Sequence, residues 1–489
     1  MAGYIDFANK FVWGVPALIL ILGVGLFLSL RTGFCQLTLF PRACAAFFRK
    51  LRSQGDGSEV SPFQALCTAL AATIGTGNLV GVAGAIALGG PGAIFWMWIS
   101  ALLGMMTKFA EATLAVHYRV RIGCEWQGGP MYMITRGMNP RWHFLAVCYS
   151  FFGVLAAFGV GNATQINAVV TGLGQVICRF GGEMTFRRSL GIGLLLAVLT
   201  GFMLTGGAKR IGAAAQLLVP FAAGAYLLLG IGVLIIRLPA VPAAFASIIG
   251  GAFLPEAITG GVVGSAFQAL RIGVCRGVFT NEAGMGTASM AHASAQVDHA
   301  AEQGLMGIME VFLDTIVICT MTALVILCSG IPIPYGADVG AVLTMDAFCA
   351  VYGDWVSVFL TLALCCFAFA TVIGWGLYGI RCAQFLFGAG SWKCFSLLQV
   401  AMVVLSAVLQ TSVIWSLAEL VNGLMAIPNL IALVALSPKL RELTCHYKFC
   451  CGGIAARGGT YENFNQRQPL SALSHAKVPP LRAGGEKTG

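Results

Sequence analysis

Charge is what this sequence has least of. Only 10% of its 489 residues are Asp, Glu, Lys or Arg, whereas an ordinary soluble domain carries about 25%. Apolar residues make up 58%, and a chain so composed has too little polar surface to enclose a core in water. Lipid must be its solvent. Histidine is also scarce, with six scattered copies, and there is neither a zinc-protease helix nor a nucleophile elbow, so an enzyme has little support. The 17 cysteines form no C-x-x-C pair; spread through apolar runs, they read as small hydrophobes. The alternating ten-residue strands of an outer-membrane barrel are absent too.

What the chain does have is long uncharged runs. A bilayer crossing takes about 20 apolar residues, and such runs lie near 12–30, 62–89, 91–116, 142–172, 189–206, 212–236, 262–292, 305–330, 354–380, 395–412 and 413–436. The expected fold is therefore an all-α integral membrane protein with about eleven transmembrane helices. Asp6 and Lys10 precede the first run, which reads as a retained helix rather than a cleaved signal. If the N-terminus is outside, 21 of the 29 Lys and Arg fall in cytoplasmic segments and 5 in exterior ones, with Lys108, Arg271 and Arg276 inside helices. That bias predicts a multi-pass protein of the plasma or inner membrane, N-out and C-in. The net charge of +10 reflects the same bias and an attraction to anionic lipid; it does not argue for nucleic acid.

A repeat lies within these runs. At a constant offset of 204, Phe63, Gln64, Ala65 and Leu66 match Phe267, Gln268, Ala269 and Leu270, Thr76 meets Thr280 and Ala87 meets Ala291. Both copies carry a polar, Gly-containing break at corresponding depth. Five crossings separate the copies, so the second enters the membrane from the opposite side, which is the signature of a 5+5 inverted repeat with a binding site between discontinuous helices. The segments expected are an N-terminal peripheral helix and cytoplasmic loop (1–61), a first five-helix repeat (62–236), a short amphipathic or irregular connector (237–261), a second repeat (262–436) and a cytoplasmic tail (437–489).

The breaks carry the chemistry. Two glycines within GTGN at 75–78 weaken a helix by about 1 kcal/mol each relative to Ala. Unwinding there frees backbone groups that hydrocarbon tolerates only when something polar takes them up. A half-helix N-terminus suits a carboxylate and exposed carbonyls suit Na⁺ or an ammonium. Close helix packing through small residues is the competing explanation; Asn78 in the middle of the break favours a ligand. The second break, TNEAGMG at 280–286, places Asn281 and Glu282 at membrane depth. Glu282 acts either in a structural pair with Arg271 or Arg276 or in coupling. Gln165, in FGVGNATQINA, bonds either a neighbouring backbone or a ligand. Thr371 and Trp375, four apart, share a helical face, where a hydroxyl beside an indole suits a cation ligand under an apolar lid, or simple packing. Lys108 and Glu111, at i and i+3, pair or snorkel, and Asp314 is placed to serve a water pathway.

These residues are similar to a known family. GTGNLVGVAGAIALGGPGAIFWMWISALLGMMTKFAEA at 75–112, GGPMY at 128–132, RGVFTNEAGMG at 276–286 and TVIGW at 371–375 resemble the alanine or glycine:cation symporter (sodium:alanine symporter) family, and the resemblance runs from about residue 12 to 445. It implies a LeuT-type fold with one extra N-terminal helix, and uptake of alanine or glycine driven by Na⁺, with no other cofactor and no obligate protein partner. By the same resemblance Thr76, Gly77 and Asn78 hold the substrate's polar ends, Gln165 adds a contact, and Phe279, Asn281 and Trp375 shape the pocket. Carbonyls of Ala71 and Ile74, with Thr371, are the implied Na⁺ ligands. Ala370 stands where a Ser is expected before Thr371, and Ile380 where a Glu is expected, so one cation hydroxyl is missing. The alternatives are a proton-coupled transporter, with coupling at Glu282, and a passive channel.

Overall fold

Every apolar run expected to cross the membrane is helical. The computed structural model describes residues 12–52, 59–123, 125–337, 340, 342–409 and 412–457; the expected tail beyond Arg457 and the flanking Asp6 and Lys10 lie outside them. Met1–Arg441 forms one compact unit, and a second begins at Glu442. Among the described residues eight helices are long and apolar enough to cross a membrane, and the bent pair Pro62–Thr73 and Gly77–Gly89 makes a ninth. The two remaining runs are also helical. Val15–Thr32 is a short apolar helix, and the run 262–292 is split into Ala266–Asn281 and Thr287–His292, with Arg271 and Arg276 lowering its hydropathy.

The helices divide into inner and outer sets. Within Gly92–His117, 67% of the apolar window is buried, against 22% in Phe186–Leu204 and 28% in Gly207–Ile236. The outer pair therefore presents leucines, valines and phenylalanines outward, where lipid is their only compatible solvent. Gly92–His117 is the central post: Ala266–Asn281 and Ala300–Val311 both pack along it. Val356–Phe387 packs on Phe144–Phe158 and on the first broken helix. The connector is more regular than expected, for Val241–Phe253 is an apolar helix lying against Gly92–His117.

The two broken helices begin alike. Ser61 caps the first, accepting from the Gln64 N–H at 3.1 Å while Gln64 Oε1 accepts from the Ser61 N–H at 3.0 Å. Ser265 caps the second, accepting from the Gln268 N–H at 3.2 Å. Serine at the N-cap satisfies one of the helix's orphan donors, and these two serines and two glutamines stand at the same offset as the repeat. The breaks do not fall at the same depth, however. The first half-helix runs 12 residues and the second 16, so the second break lies about one turn further along. Three π-type segments, Gly77–Gly81, Gly159–Ala163 and Phe312–Cys319, interrupt the inner helices; such bulges recur at functional sites.

Candidate functional site

The first break starts where Ile74 leaves the helix at ψ 99°, freeing carbonyls of the last turn. One of them is taken up from across the bundle: the Thr371 hydroxyl lies 2.9 Å from the Ala71 carbonyl and 3.0 Å from that of Phe367. A hydroxyl has one proton for those two acceptors, so its oxygen keeps lone-pair capacity facing the break. Gly75 is what allows this approach. A Cβ on it would lie 2.8 Å from Thr371 Oγ1 and 3.3 Å from Gln165 Oε1. Gln165 Nε2 donates to the Thr76 hydroxyl at 3.2 Å and to the Val160 carbonyl at 3.3 Å, while its Oε1 is buried and unbonded. Ala71, Gly75, Thr76, Gln165 and Thr371 thus meet at one place, buried, with acceptor oxygens in excess. Such a surplus suits a cation or an ammonium group. Gly75→Ala is expected to raise the half-saturating amino-acid concentration at least about tenfold, because the new methyl pushes Thr371 and Gln165 apart and a 1 Å misplacement is costly; uptake kinetics in vesicles measure it.

Asn78 is placed differently from its expected role. Its Oδ1 accepts from the Gly75 N–H at 3.0 Å and its Nδ2 donates to Asp314 Oδ1 at 2.7 Å. The side chain shapes the break, and Asp314 holds it. Gly77 packs against Thr280 of the second broken helix. Phe279 is half-buried on the last turn of that helix, and Asn281 donates to Thr315 at 3.1 Å.

In the second break Glu282 is left-handed at φ 53°, a conformation costing a side-chain-bearing residue about 1–2 kcal/mol. Its carboxylate accepts from the Trp375 indole N–H at 3.1 Å and from the Thr287 hydroxyl. Of the two alternatives for Glu282, the pairing with Arg271 or Arg276 is not made among the described residues; Arg276 instead approaches Glu419 at 4.0 Å. Trp375 serves as more than packing: it joins Val356–Phe387 to the second break and lies over Gly161, where any Cβ would fall 2.2 Å from its own Cβ.

The Lys108–Glu111 pair is also replaced. Lys108 neither snorkels nor bonds Glu111 but meets Glu310 at 2.9 Å, with both side chains buried. Glu310 also holds His292 at 2.9 Å, and His292 Nδ1 lies 2.7 Å from Gln303. Glu111 accepts from the N–H groups of Gly284 and Gly286 at 2.9 and 3.1 Å and from Asn429 at 2.8 Å, so it braces the second break. Sequence reasoning misses Glu310, His292 and Asn429; the signal for the first two is an ionisable group at membrane depth, which is expensive without a purpose.

Two discontinuous inner helices, each broken at a polar segment that buried side chains of neighbouring helices hold, define a multi-pass carrier. The family model described as "Sodium:alanine symporter family" matches residues 1–451, and the chain belongs to that family. It is 42% identical over 438 residues to the sodium/alanine symporter AgcS of Methanococcus maripaludis, covering 88% of this chain and 94% of that one. It is 38% identical over 436 residues to the amino-acid carrier protein AlsT of Bacillus subtilis, covering 88% and 89%. Among solved structures it resembles MhsT in complex with L-phenylalanine, at 13% identity and a TM-score of 0.54, over 79% of this chain and 98% of that chain; that likeness shows a shared LeuT-type fold. The chain is thus a membrane transporter and not an enzyme, of a family whose activity is Na⁺-coupled amino-acid symport.

Proposed function

We propose that the chain imports a small neutral amino acid, alanine or glycine, together with Na⁺ by alternating access. Eleven spans in two inverted sets of five, after one added helix, would carry it, with the N-terminus outside and the C-terminus in the cytoplasm. The observation that carries the reading is the convergence of Thr371, the Ala71 carbonyl and the unbonded Gln165 Oε1 on Gly75. Na⁺ takes oxygen from Ala71, Ile74 and Thr371. The substrate's polar ends meet Thr76, Gly77 and Gln165, Asn78 holds the break in shape, and Phe279, Asn281 and Trp375 bound the space for a short side chain. The serine caps matched at the repeat's offset support the inverted arrangement, and the name of the M. maripaludis relative supports alanine.

The test is uptake of radiolabelled alanine and glycine into proteoliposomes under an inward Na⁺ gradient, then under a proton gradient alone. Accumulation with Na⁺ is the expected result. A second reading is favoured by the buried Glu282 in the second break: accumulation with protons only would move coupling there. Equilibration without accumulation under either gradient would leave a passive channel and end the proposal.

A further inference from the structure

The two breaks are tied together by a run of four side chains, two of which, Asp314 and Thr315, have no role in the transport reading. From the first break the Gly75 N–H donates to Asn78 Oδ1 at 3.0 Å, and Asn78 Nδ2 donates to Asp314 Oδ1 at 2.7 Å. Asp314 Oδ2 accepts from the Thr315 hydroxyl at 2.8 Å. Thr315 Oγ1 accepts from Asn281 Nδ2 at 3.1 Å, and Asn281 Oδ1 accepts from the Ala283 N–H at 3.0 Å in the second break. The chain is continuous from a backbone N–H of one break to a backbone N–H of the other.

Its four side chains are all buried, at 0 to 1% exposure, so water cannot replace a lost link. Its polarity is also fixed. Each amide nitrogen donates, each amide oxygen accepts, and the single Thr315 proton goes to the carboxylate while its oxygen receives Asn281. Turning one amide over would set donor against donor at its backbone end and acceptor against acceptor at the other. The middle of the chain, Asp314 and Thr315, stands in the π-type segment Phe312–Cys319, where the local widening re-aims side chains. Among the described residues no basic side chain lies within ion-pair distance of Asp314, so its carboxylate is oriented by neutral donors from the chain itself.

We infer that Asp314 and Thr315 are positioning residues that couple the two breaks, transmitting cation occupancy at the first to the backbone of the second. They set the factor by which Na⁺ tightens amino-acid binding. The inference rests on the site assignment proposed above. A contiguous chain is not by itself evidence of coupling; linkage makes the factor measurable and reciprocal.

The experiment is alanine binding to purified full-length carrier, with saturating Na⁺ and with choline in its place, the ratio of the two Kd values being the coupling factor. Thr315→Val is isosteric and removes only the bridging hydroxyl; it is expected to cut the factor about tenfold, while Thr315→Ser keeps it. Thr322→Val is the control, since it deletes another buried hydroxyl of the same span, one bonded to Tyr226 at 2.7 Å and touching neither break; it is expected to leave the factor unchanged. An unchanged factor in Thr315→Val, or an equal fall in Thr322→Val, overturns the inference. Should Thr315→Val not fold, Asp314→Asn leaves one acceptor oxygen where the chain needs two, so either the Asn78 or the Thr315 link is lost, and an unchanged factor there overturns it equally. If wild-type binding is indifferent to Na⁺, the site assignment fails and the inference with it.

Discussion

Replacing Thr371 by valine is expected to raise the Na⁺ concentration for half-maximal alanine uptake by about 10–100-fold. That range follows from a hydrogen-bonding or ligating contact to a charged group being worth about 1.5–3 kcal/mol and a factor of ten costing about 1.4 kcal/mol. Valine has the shape of threonine without its oxygen, so the packing against the first break is kept and the loss is chemical. The Ala71 carbonyl loses its 2.9 Å partner as well, but the neutral bond is worth only about 1 kcal/mol, too little to unfold the carrier. The departure at Ala370 sharpens the expectation: position 370 offers no neighbouring hydroxyl to replace the lost one. Thr371→Ser should behave as wild type. Uptake measured against a Na⁺ titration, at fixed alanine, decides it; an unshifted titration in Thr371→Val would remove this residue from the cation site.

The sequence is legible where the cause of structure is local. Long apolar runs form helices, because hydrocarbon leaves the backbone no other way to satisfy itself. GTGN and TNEAGMG form breaks, because glycine and asparagine there weaken the helix within one turn. The i, i+4 spacing of Thr371 and Trp375 puts both side chains toward the breaks. The failures share one cause. Spacing matches Lys108 to Glu111, but its partner Glu310 stands on another helix, 202 residues away. Asn78 faces Asp314 across 236 residues, and Glu282 meets Trp375 across 93. No periodicity encodes such pairings; they depend on which helix faces which. The π-type segments are equally hidden, since one added residue in a turn leaves no compositional trace.

The second break is therefore braced by groups whose identity only the packing discloses. Glu111 binds its glycine N–H groups, Glu282 receives Trp375, and the adjoining half-helix is anchored through His292. Among the described residues the proposed Na⁺ ligands of the first break bond no carboxylate directly; Thr371, Gln165 and Asn78 hold that break with neutral groups, and Asp314 reaches it through the Asn78 amide. This asymmetry gives the halves different tasks within the proposed mechanism: the neutral break answers to the ligands, and the braced one moves with the helix Gly92–His117 on which Lys108 and Glu111 both stand.

That bracing leads to the largest expected loss of stability. Lys108→Met should destabilise the carrier by about 3–5 kcal/mol, the range for removing one partner of a buried ion pair. Methionine fills the lysine's volume, so no cavity arises; what is lost is the counter-charge. Glu310, 0% exposed, then keeps the His292 ring as a hydrogen-bond partner at 2.9 Å without its ammonium counter-charge, and lipid offers it no solvent. The apparent Tm in detergent should fall by about 3–5 °C. If the charge is the cause, neutralising its partner must help: Lys108→Met combined with Glu310→Gln should recover part of the loss, since a glutamine amide needs no counter-ion. The introduced amide would still accept from His292, whereas Lys108→Met alone strands a carboxylate between three helical segments. A double variant no more stable than Lys108→Met would assign the loss to packing around the lysine stem, and the network Lys108–Glu310–His292–Gln303 would then be a consequence of the fold rather than one of its supports.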